Sequence, residues 1–300
     1  MALLDHATNP LTDPIRVRAA LNSLGLRPAK GMGQNFLIDP EPLKLALAAA
    51  EVTPDDVVVE IGPGLGVLTW ELLKAAGSVI CVELDRRLAA RLLVEFASDR
   101  LTLVENDVLN VAPSAILAAA NLPADTPYKL VANIPYAITS PLLRHFLEGD
   151  APPAVMVVLM QWEVAERITA KPGSLSILAH SVQLYASAEI VAKVPSRSFL
   201  PPPAVDSALV LLRRRPEPAV STPPDALFKV IRAGFMQGRK KLSNSLTSGL
   251  AGQGYPKDQV MAAMAEAGVD PNLRAEVLTL DRWAAIAAAL GMEGQAASGM

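Results

Sequence analysis

The sequence predicts an open, mainly parallel α/β sheet followed by a small all-α domain. Three observations carry this. Short Val/Ile/Leu-rich runs at 57–59, 79–82, 101–104 and 130–132 alternate with alanine- and leucine-rich stretches, the rhythm of strand–helix–strand units. Those runs lead into polar residues, namely Glu60, Glu83, Glu105-Asn106-Asp107 and Asn133. After Arg215, prolines 216, 218, 223 and 224 break the pattern, and only helical stretches follow.

A chain of 300 residues fits one large domain, or a large one with a small one. Half of it is hydrophobic but only 4% is aromatic, so the core must pack mostly through aliphatic side chains. A single cysteine, Cys81, excludes an internal disulfide and a cysteine metal cluster, and its apolar surroundings make it an inert core residue. His6, His145 and His180 form no ligand spacing, so no metal is expected. No apolar run is long enough to cross a membrane and no signal peptide is apparent, so the expectation is a soluble cytoplasmic protein, with nothing that demands more than a monomer. The net charge of −3 hides an asymmetry. Residues 191–245 carry ten Lys or Arg against Asp206, Glu217 and Asp225, which makes that segment +7 and the remainder −10. Such a segment can form a phosphate-contacting face on an otherwise acidic protein.

Taken in order, residues 1–30 read as a loose lead-in and one helix over 14–24, stopped near Gly25. Gly33-Gln34-Asn35-Phe36-Leu37 has loop chemistry, and Asp39-Pro40 is an N-cap and first-turn pair opening a helix over 41–51. The first strand runs into Glu60-Ile61-Gly62-Pro63-Gly64-Leu65-Gly66 and then a helix from about residue 67. A buried strand, a glycine turn and a helix form a nucleotide-site signature, because glycines let the backbone approach a ligand closely. The spacing is G-x-G-x-G rather than the G-x-G-x-x-G of nicotinamide folds, and Glu60 puts a negative charge at the strand end. That charge suits a cationic ligand better than a pyrophosphate, and S-adenosylmethionine, with its ammonium and sulfonium, fits. Glu83 ends the second strand 21 residues after Gly62. An acid about 20 residues beyond the glycine turn typically binds ribose hydroxyls. After the third strand, Asp107 can accept from an adenine amino group. Four consecutive strands thus carry polar residues at their carboxyl ends, where open α/β sheets bind ligands.

The fourth strand leads to Asn133-Ile134-Pro135-Tyr136. Asn133 can offer its side-chain carbonyl and Ile134 its backbone carbonyl to the two hydrogens of a flat ring's amino group. Pro135 stiffens the turn, and Tyr136 can lie against the ring. Ser140 and Pro141 then cap a helix over 142–147, and a fifth strand over 154–159 precedes a helix over 161–168. Two β-rich stretches follow, 181–191 and 205–212, with Phe199 and three prolines between them. Four helices are predicted over 225–236, 240–250, 257–267 and 281–290. The domain boundaries are therefore 1–30 for an N-terminal extension, 31–214 for the sheet domain, 215–290 for the helical domain and 291–300 for a tail.

Together these residues resemble the KsgA-type ribosomal RNA adenine dimethyltransferases, from about Gly33 to Leu290. The matching stretches are GQNFL (33–37), EIGPGLG (60–66), VELD (82–85), ND (106–107), NIPY (133–136), EVAERI (163–168), F-x-P-x-P-x-V-D-S (199–207) and R-K-K-L-x-N-S-L (239–246). The chain departs at Gln161-Trp162-Glu163, where the family often has Gln-Lys-Glu, and in a shorter 171–176 stretch. The resemblance implies a class I S-adenosylmethionine-dependent methyltransferase, Rossmann-like, with a mainly parallel seven-stranded sheet and a helical C-terminal domain. It implies that Gln34, Asn35 and Leu37 close over the cofactor. Glu60, Gly62 and Gly64 would lie at its methionine end, Glu83 and Leu84 at its ribose, and Asp107 and Val108 at its adenine. Asn133 would touch both cofactor and target amine, and Tyr136 and Phe199 would sandwich the target adenine. Arg213, Arg214, Arg215, Arg239, Lys240 and Lys241 would face RNA. The implied substrate is a pair of adjacent adenosines in the 3′-terminal hairpin loop of 16S rRNA, each dimethylated in a 30S assembly intermediate, with S-adenosylhomocysteine as the other product.

Hydrogen bonds from the adenine amine to Asn133 and Ile134 would push its delocalised lone pair toward attack. The sulfonium is a good leaving group, so alignment, which can supply about 7–11 kcal/mol, suffices without a catalytic base. Flipping a base costs a few kcal/mol and is cheapest in loops, and two stacked faces return about 1–3 kcal/mol each. Two alternatives stand beside this one: a 23S rRNA adenine methyltransferase of the antibiotic-resistance type, and a non-catalytic RNA-binding assembly factor. The glycine spacing disfavours a nicotinamide oxidoreductase.

Overall fold

The computed structural model describes residues 3–26 and 35–292. Nine strands are present among them: β1 (Phe36–Leu37), β2 (Val57–Ile61), β3 (Ser78–Glu83), β4 (Leu101–Glu105), β5 (Lys129–Asn133), β6 (Val155–Gln161), β7 (Ala186–Val194), β8 (Phe199–Leu200) and β9 (Ser207–Arg214). Seven of them form one sheet in the order β4-β3-β2-β5-β6-β9-β7, and β1 pairs with β8. Within the large sheet β4, β3, β2, β5 and β6 pair in parallel and β9 runs antiparallel to β6. The mainly parallel seven-stranded sheet is thus as expected from the sequence.

The strand residues explain the layering. β2, β3 and β5 are near-continuous apolar runs, buried along most of their length, as strands covered on both faces must be. β4 is only partly buried, as suits an edge. The chain builds outward from β2 through β3 to β4, then returns to place β5 on the other side of β2. The strand order therefore reverses between β2 and β5, and the carboxyl ends of those two strands flank the reversal. Crevices at such reversals are where open α/β sheets take their ligands.

By packing, the described parts of 1–165 and 187–214 form one compact unit, and those of 166–186 and 215–300 a second. The helical unit thus includes a segment from the middle of the chain. It is built on the helices Pro224–Phe235, Leu242–Ala251, Lys257–Glu266 and Leu280–Ala289, with the shorter Ile177–Gln183. Trp283, Leu227, Ile231, Leu246, Val260, Ile286 and Leu184 share its core. Gly234 is needed there, since a Cβ on it would stand 2.3 Å from the Trp283 ring. His180 ties the mid-chain helix in: one ring nitrogen lies 2.9 Å from the Leu278 carbonyl and the Trp283 indole N–H donates to it at 3.1 Å.

Two local expectations are corrected. Residues 181–183 belong to the helix Ile177–Gln183, and the strand begins only at Ala186. The Ser176 hydroxyl caps that helix, accepting from the Ala179 N–H at 3.1 Å, and Leu178, Ala179 and Val182 give it a buried face. Ser140 is not a cap: the helix Thr139–Leu147 starts a turn earlier, continuing a 3₁₀ turn at Tyr136–Ile138 with no side-chain cap. The Asp39-Pro40 pair does open its helix, the Asp39 carboxylate accepting from the Glu41 N–H at 3.0 Å.

Candidate active site

A pocket opens at the strand-order reversal of the sheet unit. Asn35, Phe36, Leu37, Glu60, Gly62, Pro63, Gly64, Leu65, Glu83 and the whole run Asn133 to Tyr136 line it, joined by Leu11, Val17, Val67, Leu68 and Leu88. Residues more than 90 positions apart meet here because parallel strands deliver their carboxyl ends to one edge.

The glycine turn shapes one side. Gly62, Gly64 and Gly66 have φ of 64°, 58° and 90°, a backbone region open to glycine and strained for other residues. At Gly66 a Cβ would also meet the Phe96 ring at 2.4 Å, so this glycine also lets the helix Val67–Ala75 sit against its neighbours.

Glu60 is 1% exposed, and its carboxylate accepts from the Thr69 hydroxyl at 2.6 Å and from the Cys81 thiol at 3.4 Å. Among the described residues no Lys, Arg or His pairs with it. Burial, abetted by the nearby Glu83 charge, pushes its carboxyl up to about 7. Glu83 is also buried, and its oxygens accept from the Gly64 N–H at 3.1 Å and the Asp85 N–H at 2.9 Å. Burial raises its carboxyl, against the pull of those N–H groups. Two buried carboxylates without a cationic partner among the described residues make a site that welcomes positive charge from a ligand.

Across the reversal, the Asn133 amide NH₂ donates to the Asn35 carbonyl at 3.4 Å, which leaves its side-chain oxygen directed elsewhere. No hydrogen bond from a described residue reaches that oxygen or the Ile134 carbonyl. Tyr136 is half-buried, its hydroxyl bonded to the Ser207 hydroxyl at 2.7 Å. Ser207 is fully buried, so the bond fixes the ring's far end and leaves a face for the pocket. Burial raises the Tyr136 hydroxyl above its ordinary range, so it stays neutral.

Not every expected residue lines the pocket. Gln34 lies outside the described residues. Phe199 is 1% exposed, set opposite Leu37 in the β1–β8 pair and packed in the same core cluster as Leu37. Leu84 is 69% exposed. Asp107 caps a short turn, accepting from the Leu109 N–H at 3.0 Å, and Val108 behind it is buried. Arg213, Arg214, Arg215, Arg239, Lys240 and Lys241 are all exposed. Arg213 pairs with Glu51 at 2.8 Å, Arg215 donates to the Gln183 carbonyl at 3.2 Å and Lys241 to Asn272 at 2.8 Å. Trp162, where a cation is usual in the resembling family, carries one above it instead, the Lys193 ammonium at 5.0 Å from the ring centre.

Sequence reasoning passed over Leu11 and Val17, because it took Leu11 as part of a loose lead-in and gave the helix over 14–24, which carries Val17, no part in the site. Asn9-Pro10 and Asp13-Pro14 each form a cap and first-turn pair, a signal of order that was available. Among the described residues no cluster of His, Cys, Asp and Glu could hold a metal, and no helix is long and apolar enough to cross a membrane.

A family model described as ribosomal RNA adenine dimethylase matches residues 27–290. A ribosomal RNA small subunit methyltransferase A from Dehalococcoides mccartyi is 44% identical over 260 residues, 86% of this chain and 87% of that protein. The crystal structure of the 23S rRNA methyltransferase ErmE superposes with a TM-score of 0.65 at 30% identity, covering 86% of this chain and all of that one. That of a dimethyladenosine transferase from Plasmodium falciparum does so with a TM-score of 0.71 at 25% identity, over 86% of this chain and 98% of that one. With a model spanning nearly its whole length and a close relative besides, the chain belongs to the ribosomal RNA adenine dimethylase family.

Proposed function

We propose that this protein dimethylates the N6 amines of two adjacent adenosines in the 3′-terminal hairpin loop of 16S rRNA within a 30S assembly intermediate, with S-adenosylmethionine as donor. The observation that carries the reading is one pocket holding both halves of the chemistry. Glu60, the glycine turn and Glu83 stand on one side, and the Asn133–Ile134 acceptor pair with Tyr136 on the other.

The donor fits the residues present. Glu60 is a buried carboxylate with no cationic partner among the described residues, which suits the donor's positive end, and Glu83 suits hydroxyls. When bound, S-adenosylmethionine supplies an electrophilic methyl group on a sulfonium. Asn133 and the Ile134 carbonyl hold the amine by its hydrogens, so its lone pair faces across the pocket. Pro135 keeps the two acceptors in register, and Tyr136 lies against the base. No protein base is needed at this centre, since an alkylated amine gives its proton to water. Alignment of this kind can supply about 7–11 kcal/mol. Phe199 pairs with Leu37 and shares its core cluster, and in this reading it reaches a target base only if β8 shifts. Exposed Arg214, Arg239 and Lys240 are available to phosphates, and RNA affinity should fall steeply with salt. The protein acts as a cytoplasmic monomer and uses no metal.

The test is methyl transfer from labelled S-adenosylmethionine to unmethylated 30S particles and, separately, to 50S particles, with nucleosides analysed by mass spectrometry and Asn133→Ala alongside. Dimethyladenosine on 30S alone, absent with the variant, is the expected result. Product on 50S instead would replace this substrate with a large-subunit one.

A further inference from the structure

We propose that the N-terminal segment, residues 3–26, is a working wall of the cofactor pocket, and that Asn9 is the positioning residue that sets it. The proposal rests on reading the pocket as the S-adenosylmethionine site. Leu11 and Val17, 3% and 1% exposed, line the same pocket as Glu60, Glu83 and Asn133. They come from a stretch with none of the resemblance-bearing motifs, and the family model begins after it.

Asn9 is one of few buried polar residues, at 8% exposed. Its NH₂ group donates to the Val67 carbonyl at 2.8 Å and to the Glu71 carboxylate at 3.0 Å. Its side-chain oxygen accepts from the Leu11 N–H at 3.1 Å. One amide thus joins the backbone of a pocket-lining residue, Leu11, to the first residue of the helix behind the glycine turn. Two further bonds hold the segment along that helix: the Trp70 indole N–H donates to the Leu3 carbonyl at 2.9 Å and the Lys74 ammonium to the His6 carbonyl at 2.8 Å.

The other end of the segment reaches further. Val17, Leu21 and Leu26 pack in one apolar cluster with Leu65 and Leu88. Leu65 lies inside the glycine turn, and Leu88 sits on the helix Arg86–Glu95, which begins three residues after Glu83. The segment therefore braces both loops that would hold the donor. Leu11 and Val17 bring only apolar surface, so their contribution is dispersion contact and the exclusion of water. Excluding water lowers the local dielectric and strengthens whatever Glu60 and Glu83 do for a cationic ligand.

The test uses the full chain and S-adenosylhomocysteine, whose binding involves no chemistry. Calorimetry should show Asn9→Ala binding about tenfold more weakly, which is about 1.4 kcal/mol. The loss should appear in KM for the donor and leave KM for 30S particles unmoved. Asn9→Asp should lose affinity similarly, because it cannot donate to Glu71. The pair Asn9→Asp with Glu71→Gln restores a donor–acceptor contact with the roles exchanged, and should recover part of the loss. In the wild type, saturation with S-adenosylhomocysteine should slow hydrogen exchange at the Leu11 amide and along 15–24. Binding by Asn9→Ala within twofold of the wild type would overturn the proposal. So would unchanged exchange in the saturated wild type, which requires no variant to fold. A wild type that binds no S-adenosylhomocysteine would overturn the reading of the pocket itself, and the wall with it.

Discussion

Replacing Glu60 by glutamine should stabilise the empty protein in alkaline solution while weakening its hold on a cationic ligand. Burial holds the Glu60 carboxyl at about 7 in the fold, against 4.5 for a solvated glutamate. A carboxyl raised in the folded state opposes folding when it ionises. The fold gives up stability as pH climbs from 4.5 toward 7, and the deficit stays constant above that. At about 1.4 kcal/mol for each pH unit separating the two values, the deficit is roughly 3 kcal/mol at pH 8 and under about 1 kcal/mol at pH 5. Glutamine keeps an oxygen for the Thr69 hydroxyl, which now bonds the carboxylate at 2.6 Å, but carries no charge to desolvate. Urea unfolding of both empty proteins at pH 5, 6 and 8 reads the difference directly. Glu60→Gln should be the more stable by roughly 3 kcal/mol at pH 8, with the gap closing at pH 5. Its affinity for S-adenosylhomocysteine should fall at least tenfold. Wild-type affinity should rise about tenfold from pH 6 to pH 8, since only the ionised fraction is competent, and the variant should lose that dependence. A stability gap independent of pH, or a variant less stable at pH 8, would refute the reasoning.

Three further predictions concern separate places in the molecule. Tyr136→Phe leaves the buried Ser207 hydroxyl without its 2.7 Å partner, so unfolding should become easier by roughly 1–2 kcal/mol while methyl transfer persists within a few-fold; Tyr136→Ala should abolish transfer. Gly66→Ala places a Cβ 2.4 Å from Phe96 at φ 90°, and should cost roughly 2–4 kcal/mol in unfolding and lower cofactor affinity as well. Burial depresses the His180 imidazole below 6.5, so the stability it confers is full above that value and is lost as pH falls. The Trp283 indole N–H, which donates to His180, should therefore lose exchange protection on acidification from pH 7 to 5.

The site was legible where a single residue type has few structural excuses. A buried strand ending in Glu60 or Asn133 is poor core, and the parallel pairing that aligns such ends follows from strand–helix alternation. Phe199 was less legible. An aromatic beside prolines reads equally as a stacking face or as cover, and only its pairing with Leu37 shows it lying in the core. Residues 181–183 misled because a short helix buried over 178–182 and a buried strand look alike in so short a stretch, and the deciding Ser176 cap is a single side chain. Leu11 and Val17 were invisible as pocket residues, since nothing local in an apolar side chain tells which cavity it will face.

The route of the backbone between the two units has a consequence for anyone shortening this protein. The chain leaves the sheet unit after 165, returns at 187 and leaves again after 214. A gene cut at the proline-rich stretch after Arg215, the obvious place on paper, would still encode 166–186. Leu184 and His180, both buried against the removed helices, would then face water. Such a fragment should be sticky and short-lived. A soluble catalytic core would need 166–186 replaced by a tight connection, and a premature stop codon within the helices spanning 224–289 should act as a loss of the whole protein.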